Sequence, residues 1–249
     1  MIEASLKRTR LKAYINTIAS AVAEIEAGNT VSRDWIVGEL RKTLKEARVE
    51  PFRGIKHSEE VYEKELISLY IVAARILRIP LRKFGKALEE VFSNEINLSR
   101  IVAVLKKNRE PQSIRTTIEN HLGAVDEVSL SKVVRYVTTE YYLDLVDENE
   151  AVRTIGNIIK SFPEFEDRFS RMTKFFVAIV VGSKIVSNEI KSKMELEMCK
   201  KAITINLGLR GGAPSDEYII DVARIAYGSD KNLRKLSESV RNPPRRNPT

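Results

Sequence analysis

The sequence predicts an all-α protein with about eleven or twelve helices. Apolar residues recur at spacings of three and four along almost the whole chain, which is the period of an amphipathic helix. Residues that favour helix starts and glycines or asparagines that favour helix ends separate these stretches. The hydrophobic fraction is 43%, and both signs of charge are abundant. This composition is typical of a globular protein with a packed core.

The first helix is predicted over residues 4–27, and Gly28 and Asn29 end it. Ser32 is a good N-cap for a second helix, which runs to about Val49 and stops before a proline. Ser58 can cap a third helix, which continues until Pro80 interrupts the periodic pattern. Short helices follow over about 82–92, 96–108 and 111–121.

Residues 130–146 contain many β-branched and tyrosine side chains, which favour strands locally. We still predict a helix there, because the neighbouring segments are helical and no partner strand is evident. The segment Ser161-Phe162-Pro163-Glu164 predicts a capping box at the start of a long helix. Further helices are predicted to end near Asn206 and at Gly228, and a last one covers about 230–240.

The chain is predicted to consist of two helical halves, residues 1–108 and 109–240, packed together. Residues 241–249 contain three prolines and three arginines, and we expect an irregular basic tail.

The net charge of +8 lies at the two ends of the chain. Residues 1–12 carry +3 and residues 224–249 carry +5, so that residues 13–223 are neutral overall. Binding of a polyanion is therefore expected at the ends or at local basic patches. The bland alternative is that such patches are solvated helix faces.

Candidate nucleic-acid-binding residues follow from these clusters. The glycine-rich segment 207–213 adds Arg210, because its backbone could approach a phosphate ahead of a helix. A plain interhelical loop is the simpler interpretation of this segment. The candidates are Lys7, Arg8, Arg10, Lys12, Arg75, Arg78, Arg82, Lys83, Lys86, Arg210, Arg241, Arg245 and Arg246.

No recognisable catalytic signature is present. The chain has one cysteine, Cys199, and two histidines, which excludes an internal disulfide and a cysteine-rich zinc site. Phosphate-binding and dinucleotide-binding motifs are absent. Glu59 and Glu63 could share a helix face and bind a hard cation, but capping and salt bridges explain them more simply. We expect no cofactor and no metal site.

Three stretches of the chain resemble a known family. They are VEPFRGIKHSEEVYEKELISLYIVAARILRI, SFPEFEDRFSRMTKFFVAI and APSDEYIIDVARIAYG. In this order they resemble a family of uncharacterised archaeal proteins defined only as a domain of unknown function. The resemblance implies an archaeal cytoplasmic source and an all-helical fold, and it carries over no functional residues.

Three functions compete at this point. The first is a non-enzymatic RNA-associated protein, bound to the ribosome or to rRNA through its basic ends and a basic helical patch. The second is a helical scaffold that binds a protein partner without nucleic acid. The third is an enzyme that uses carboxylates and a metal.

The longest apolar run, residues 175–182, is far shorter than the roughly 20 residues that span a bilayer. A cytoplasmic protein without a membrane partner is expected. Few glutamines and many charged residues indicate a heat-adapted source.

Overall fold

The computed structural model describes residues 3–52, 58–77, 85–123, 125–209 and 212–241, with side chains outside its scope at 3–5, 58–64, 85–87 and 166–171. Within these ranges the chain forms twelve α-helices and no strand, which confirms the all-α prediction. Four sequence predictions lie outside the described residues or side chains. They are the cap at Ser58, the carboxylate pair Glu59 and Glu63, the break at Pro80 and the tail beyond Arg241.

The helices follow one another with short connections. The first five are α1 (Glu3–Glu26), α2 (Arg33–Glu46), α3 (Ser58–Ile71), α4 (Gly85–Val91) and α5 (Ser93–Lys107). The next four are α6 (Pro111–Leu122), α7 (Glu127–Tyr142), α8 (Glu148–Ser161) and α9 (Glu166–Val186). The last three are α10 (Lys193–Asn206), α11 (Asp216–Tyr227) and α12 (Lys231–Arg241). A π-helical turn, Val72–Ile76, extends α3, and a 3₁₀ turn, Pro163–Phe165, precedes α9.

Local sequence signals fix several helix ends as predicted. The hydroxyl oxygen of Ser32 accepts a hydrogen bond from the backbone N–H of Trp35 at 3.1 Å and caps α2. Gly28 ends α1 with φ +85°, a conformation that glycine adopts without steric cost. Pro111 lies in the first turn of α6, where its missing N–H removes no helical bond.

Two predictions need comment in the region around α7 and α8. The strand-favouring segment is helical in α7, because Val133, Tyr136 and Val137 are all buried in the core and packing outweighs local preference. The predicted capping box at Ser161 is wrong. Ser161 is the last residue of α8, and its hydroxyl donates to the carbonyl of Asn157 at 2.7 Å, while α9 begins after the 3₁₀ turn.

The core is built around α9, whose residues 176–181 are all buried. Its closest partner is α11, and Gly182 permits this approach. A Cβ atom at position 182 would lie only 2.8 Å from the Cβ of Ala223. Helix α7 packs on another side of α9, and α8, α10 and α12 also contact it.

Helices α1 and α2 form an antiparallel hairpin. The hydroxyls of Thr17 and Thr43 lie 2.8 Å apart, and Ser20 donates to the carboxylate of Glu39 at 3.2 Å. The carboxyl-terminal half of α1 therefore lies beside α2, and the end of α2 reaches the middle of α1 near Lys12 and Asn16. Helix α1 contacts α11 and α3 contacts α7, so one hydrophobic core extends through the described parts of residues 1–108 and 109–240.

Candidate nucleic-acid interface

Arg10 was a sequence candidate for phosphate binding, but its side chain is completely buried. Its Nη1 lies 3.1 Å from Oε1 of Glu65, which is also fully buried. Its Nη2 donates to the carbonyl oxygens of Glu50 at 2.6 Å and Ile225 at 3.0 Å. The guanidinium carbon lies 4.1 Å from the ring centre of Phe52.

The carboxylate of Glu65 completes this buried network. It accepts hydrogen bonds from the hydroxyl of Tyr14 and from the backbone N–H of Phe52, the latter at 3.0 Å. Burial lowers the pKa of Arg10, but the carboxylate of Glu65 and the nearby tyrosines outweigh it, and the net pKa is raised. Burial, and then the charge of Glu65, raises the pKa of Tyr14 well above its ordinary value.

The prediction for Arg10 is therefore corrected. A guanidinium enclosed by Glu65, Phe52 and two backbone carbonyls has no surface to offer a phosphate. Breaking the pair would leave a buried charge without compensation, at a cost of several kcal/mol. Arg10 holds α1 against α3 and α11, so its role is structural.

The same contact brings the two basic ends of the chain together. Arg10 belongs to the basic segment 1–12, and Ile225 belongs to the basic segment 224–249. Nearby, Gly228 lies against Leu6, since a Cβ atom at Gly228 would be 3.5 Å from the Cβ of Leu6. Charges that are far apart in sequence thus lie on neighbouring elements.

A group of exposed cations surrounds this contact between α1 and α11, and we call it the composite basic surface. Its cations come from the first half of α1, the turn after α2 and the end of α11, and all four side chains are exposed. They are Arg8, Lys12, Arg48 and Arg224.

Contacts between these elements support the grouping. Lys12 lines the same surface cleft, about 280 Å³ in volume, as Glu46 and Ala47 of the α2 end. Arg8 lies one turn before Lys12 on the same helix face. Arg224 approaches Glu50 at 3.9 Å, and Glu50 follows Arg48 by two residues. Within residues 42–52 and the neighbouring turns of α1 and α11, Glu46, Glu50 and Asp221 offset these cations in part.

Helix α12 continues the positive charge. It starts just after Gly228, and its exposed residues include Lys231, Arg234, Lys235 and Arg241, with Glu238 as the one exposed acid in the helix. Arg241, a sequence candidate, is the last described residue and is exposed.

Lys7 is engaged in a contact within the protein. Its ammonium binds the carboxylate of Asp144 and lies 5.5 Å from the ring centre of Tyr142. The side chain is only 19% exposed. Lys7 therefore contributes less free charge to the surface than Arg8 and Lys12 do.

Arg75 also forms an ion pair within the protein. Its guanidinium binds the buried carboxylate of Glu140, which Lys106 also contacts at 2.8 Å. Glu140 thus neutralises part of the basic patch that the sequence predicts. Lys86 lies in α4, but its side chain is outside the described set, as are Arg78, Arg82, Lys83, Arg210, Arg245 and Arg246.

Sequence reasoning missed Arg48 and Arg224 as members of one surface. A usable signal was present: the short turn at Gly28 requires an antiparallel hairpin, which brings the end of α2 beside the middle of α1. The sequence contains no comparable signal for the contact of α11 with α1, because that contact depends on tertiary packing.

Other possible sites offer little to a ligand. A surface cleft of about 370 Å³ is lined by Lys7, Tyr141, Asp144, Asp147 and Ser183, among others. Lys7 and Asp144 bind each other, and the carboxylate of Asp147 caps α8 by accepting from the N–H of Glu150 at 2.8 Å. Among the described residues, no group of three or more His, Cys, Asp or Glu side chains could hold a metal ion.

These features define an all-helical protein whose two ends contribute to one basic surface. The chain belongs to a family described as an uncharacterized protein conserved in archaea (DUF2192), which matches residues 4–236. No curated protein and no solved structure matches the chain. None of the described helices is long and apolar enough to cross a membrane.

Proposed function

We propose that this protein binds RNA through the composite basic surface, with ribosomal RNA or the ribosome as its target. The observation that carries the proposal is the meeting of the two basic ends at Arg10 and Ile225. Residues 13–223 are neutral in sum. The exposed cations Arg8 and Lys12 of one end and Arg224 of the other lie on the two helices that this contact joins. Lysine and arginine side chains that neutralise phosphates release counterions, which drives binding.

Recognition through phosphates fits the side chains on these elements. Among the described residues of α1, α2, α11 and α12, no aromatic ring is exposed: Tyr14 and Tyr227 are buried, and Trp35 and Tyr218 are half-buried. Proteins that bind single-stranded nucleic acid usually gain affinity by stacking the bases on exposed aromatic rings. A rigid cationic surface without such rings suits the backbone of folded, double-helical RNA better.

The test is binding of a labelled RNA hairpin by the full chain, followed by fluorescence anisotropy between about 50 and about 300 mM salt. We expect the affinity to fall steeply with salt. The quadruple variant Arg8→Ala/Lys12→Ala/Arg48→Ala/Arg224→Ala should bind weakly and lower the salt slope by about 3 to 4.

A matched control removes the same charge elsewhere. Arg100, Arg109, Arg153 and Lys160 are exposed, and the quadruple alanine variant at these positions has an equal net charge. It should keep nearly full affinity. Equal losses in both variants would mean that net charge alone attracts RNA, and absence of binding at the lowest salt would refute the proposal.

The basic tail and the ribosome are tested separately. Deletion of residues 241–249 removes three arginines and should weaken binding further, and the native protein should sediment with ribosomal particles at low salt only. The alternative function is a helical scaffold for a protein partner, which the exposed apolar side chains of α10 favour. Retention of a protein partner at high salt, without RNA, would favour that alternative.

A further inference from the structure

Helix α10 exposes an apolar stripe on its outer face. The three most exposed large hydrophobic residues in the described part of the chain all lie on it: Met194 at 70%, Met198 at 64% and Ile205 at 74%. Soluble monomers expose single apolar residues commonly, but contiguous apolar groups mark contact sites.

The exposure does not reflect a poorly formed helix. Ser192 and Glu195 form a complete capping box at the start of α10. The opposite face is packed, since Leu196, Ile203 and Thr204 are buried. The stripe is therefore held firmly outward by a helix whose inner face is fixed in the core.

The spacing along the stripe is that of a coiled-coil seam. With the exposed Lys201 included, the outward positions are 194, 198, 201 and 205, at intervals of four, three and four. Such a pattern keeps one face of a helix against a partner helix over several turns. Glu197 flanks the seam beside Lys201, is partly exposed, and already pairs with the buried Lys200 of its own helix through Oε1 at 2.7 Å.

We propose that α10 pairs with α10 of a second copy of this chain, in an antiparallel arrangement about a twofold axis between Cys199 and Lys200. In this pairing Met194 faces Ile205 of the second copy, and Met198 faces Lys201. The ammonium of each Lys201 then comes within reach of Glu197 across the interface, which gives two charge-complementary contacts by symmetry.

Charge selects this direction over the parallel one. A parallel pair would set Lys201 against its own copy and bury two like charges in the seam. A single charged residue within an otherwise apolar seam commonly specifies register and direction in this way. The stripe is thus self-complementary only when the helices run in opposite directions.

The interface is small, because a single helix contributes it. It lies at the low end of specific interfaces, below about 1,200 Å² in total, so we expect a weak dimer that depends on protein concentration. Sedimentation velocity of the full chain, treated with nuclease and held at about 500 mM salt, excludes bridging by RNA. The expected result is a monomer–dimer equilibrium over about a hundredfold range of concentration.

Variants on the stripe test its role. Met198→Glu should raise the dimer dissociation constant about tenfold or more, because it inserts a carboxylate into the seam. Val128 on α7 is also exposed, at 58%, and Val128→Glu is the matched control that should leave the equilibrium unchanged. Because both positions are at the surface, circular dichroism should show unaltered folding in each variant.

Engineered cysteines test the direction, in a Cys199→Ser background. Antiparallel pairing predicts that Met194→Cys/Ile205→Cys forms intermolecular disulfides, whereas Met194→Cys alone does not, since the two copies of residue 194 would be roughly 16 Å apart along the axis. A chain that stays monomeric throughout, a dimer insensitive to Met198→Glu, or efficient cross-linking by Met194→Cys alone would each overturn the proposal.

Discussion

The Nη2 atom of Arg10 donates a hydrogen bond to the carbonyl oxygen of Ile225 at 3.0 Å, across 215 positions of sequence. The same guanidinium forms an ion pair with Glu65 and reaches the carbonyl of Glu50. One buried side chain thereby connects α1 with α3, with the end of α2 and with α11. These elements also carry the composite basic surface, so the buried network holds the parts of that surface together.

Replacement of Arg10 should destabilise the fold strongly. In Arg10→Met the carboxylate of Glu65 stays buried without its cation, and we expect the free energy of unfolding to fall by about 3–5 kcal/mol. Chemical denaturation followed by circular dichroism measures the loss. The double variant Arg10→Met/Glu65→Gln removes both charges and should recover part of it. A loss below about 1 kcal/mol for the single variant would show that the network does not stabilise the fold.

Replacement of Gly182 should weaken the contact between α9 and α11 and lower the free energy of unfolding. Gly182→Ala puts a methyl group 2.8 Å from the Cβ of Ala223, so either the helices separate or the contact is strained. We expect a destabilisation of about 1–3 kcal/mol.

Gly38 is the matched control, because it lies within α2, is exposed, and has no atom within 4 Å of an added Cβ. Gly38→Ala should stabilise by about 0.5–1 kcal/mol through helix preference alone. Thermal unfolding of the two variants should therefore shift in opposite directions. A stabilised Gly182→Ala variant would contradict the close packing of α9 on α11.

Sequence patterns predicted the helices well where the signal was local. Ser32, Gly28 and Pro111 mark helix ends through their own side chains or backbone, and the structure confirms all three. Ser161 shows the limit of such signals. A serine followed by proline and glutamate matches a capping box, but the hydroxyl bonds backward to Asn157 and the residue ends a helix instead.

The site was predictable only in part, because it depends on contacts between distant segments. The sequence identified the basic ends and the exposed cations Arg8 and Lys12. It also counted Arg10 as a surface cation, since nothing local reveals that Glu65, 55 positions away, takes it into the core. Burial of a charged residue is decided by its partner, and partners at such distances are a property of the tertiary fold.

The N-cap of α7 should make a small, pH-dependent contribution to stability. The N–H of Ser129 donates to Oδ1 of Asp126 at 2.7 Å, and this bond, with help from the Ser129 hydroxyl, lowers the pKa of the carboxyl below its ordinary value. Because the charged form is favoured in the folded state, its stabilisation is present above the ordinary pKa and is lost as the pH falls through the lowered one.

Asp126→Ala should therefore reduce stability by about 1 kcal/mol at neutral pH. The difference from the native chain should shrink as the pH falls from about 5 to about 2. Asp221, exposed within α11, caps no helix, and Asp221→Ala serves as the control. Urea denaturation across this pH range measures both variants, and a difference that grows toward acid would contradict the assigned role.

Single substitutions at Arg8 and Arg224 should show whether one RNA molecule contacts both ends of the chain. Arg8 comes from the amino-terminal end and Arg224 from the carboxyl-terminal end, yet both are exposed on the composite basic surface. If one RNA molecule spans both, Arg8→Ala and Arg224→Ala should each lower the slope of log affinity against log salt by about 1, and the double variant by about 2. Arg153→Ala, on α8, should leave the slope unchanged. A slope that responds to only one of the two substitutions would mean that RNA contacts that element alone, and that the contact between α1 and α11 serves the fold and not the binding.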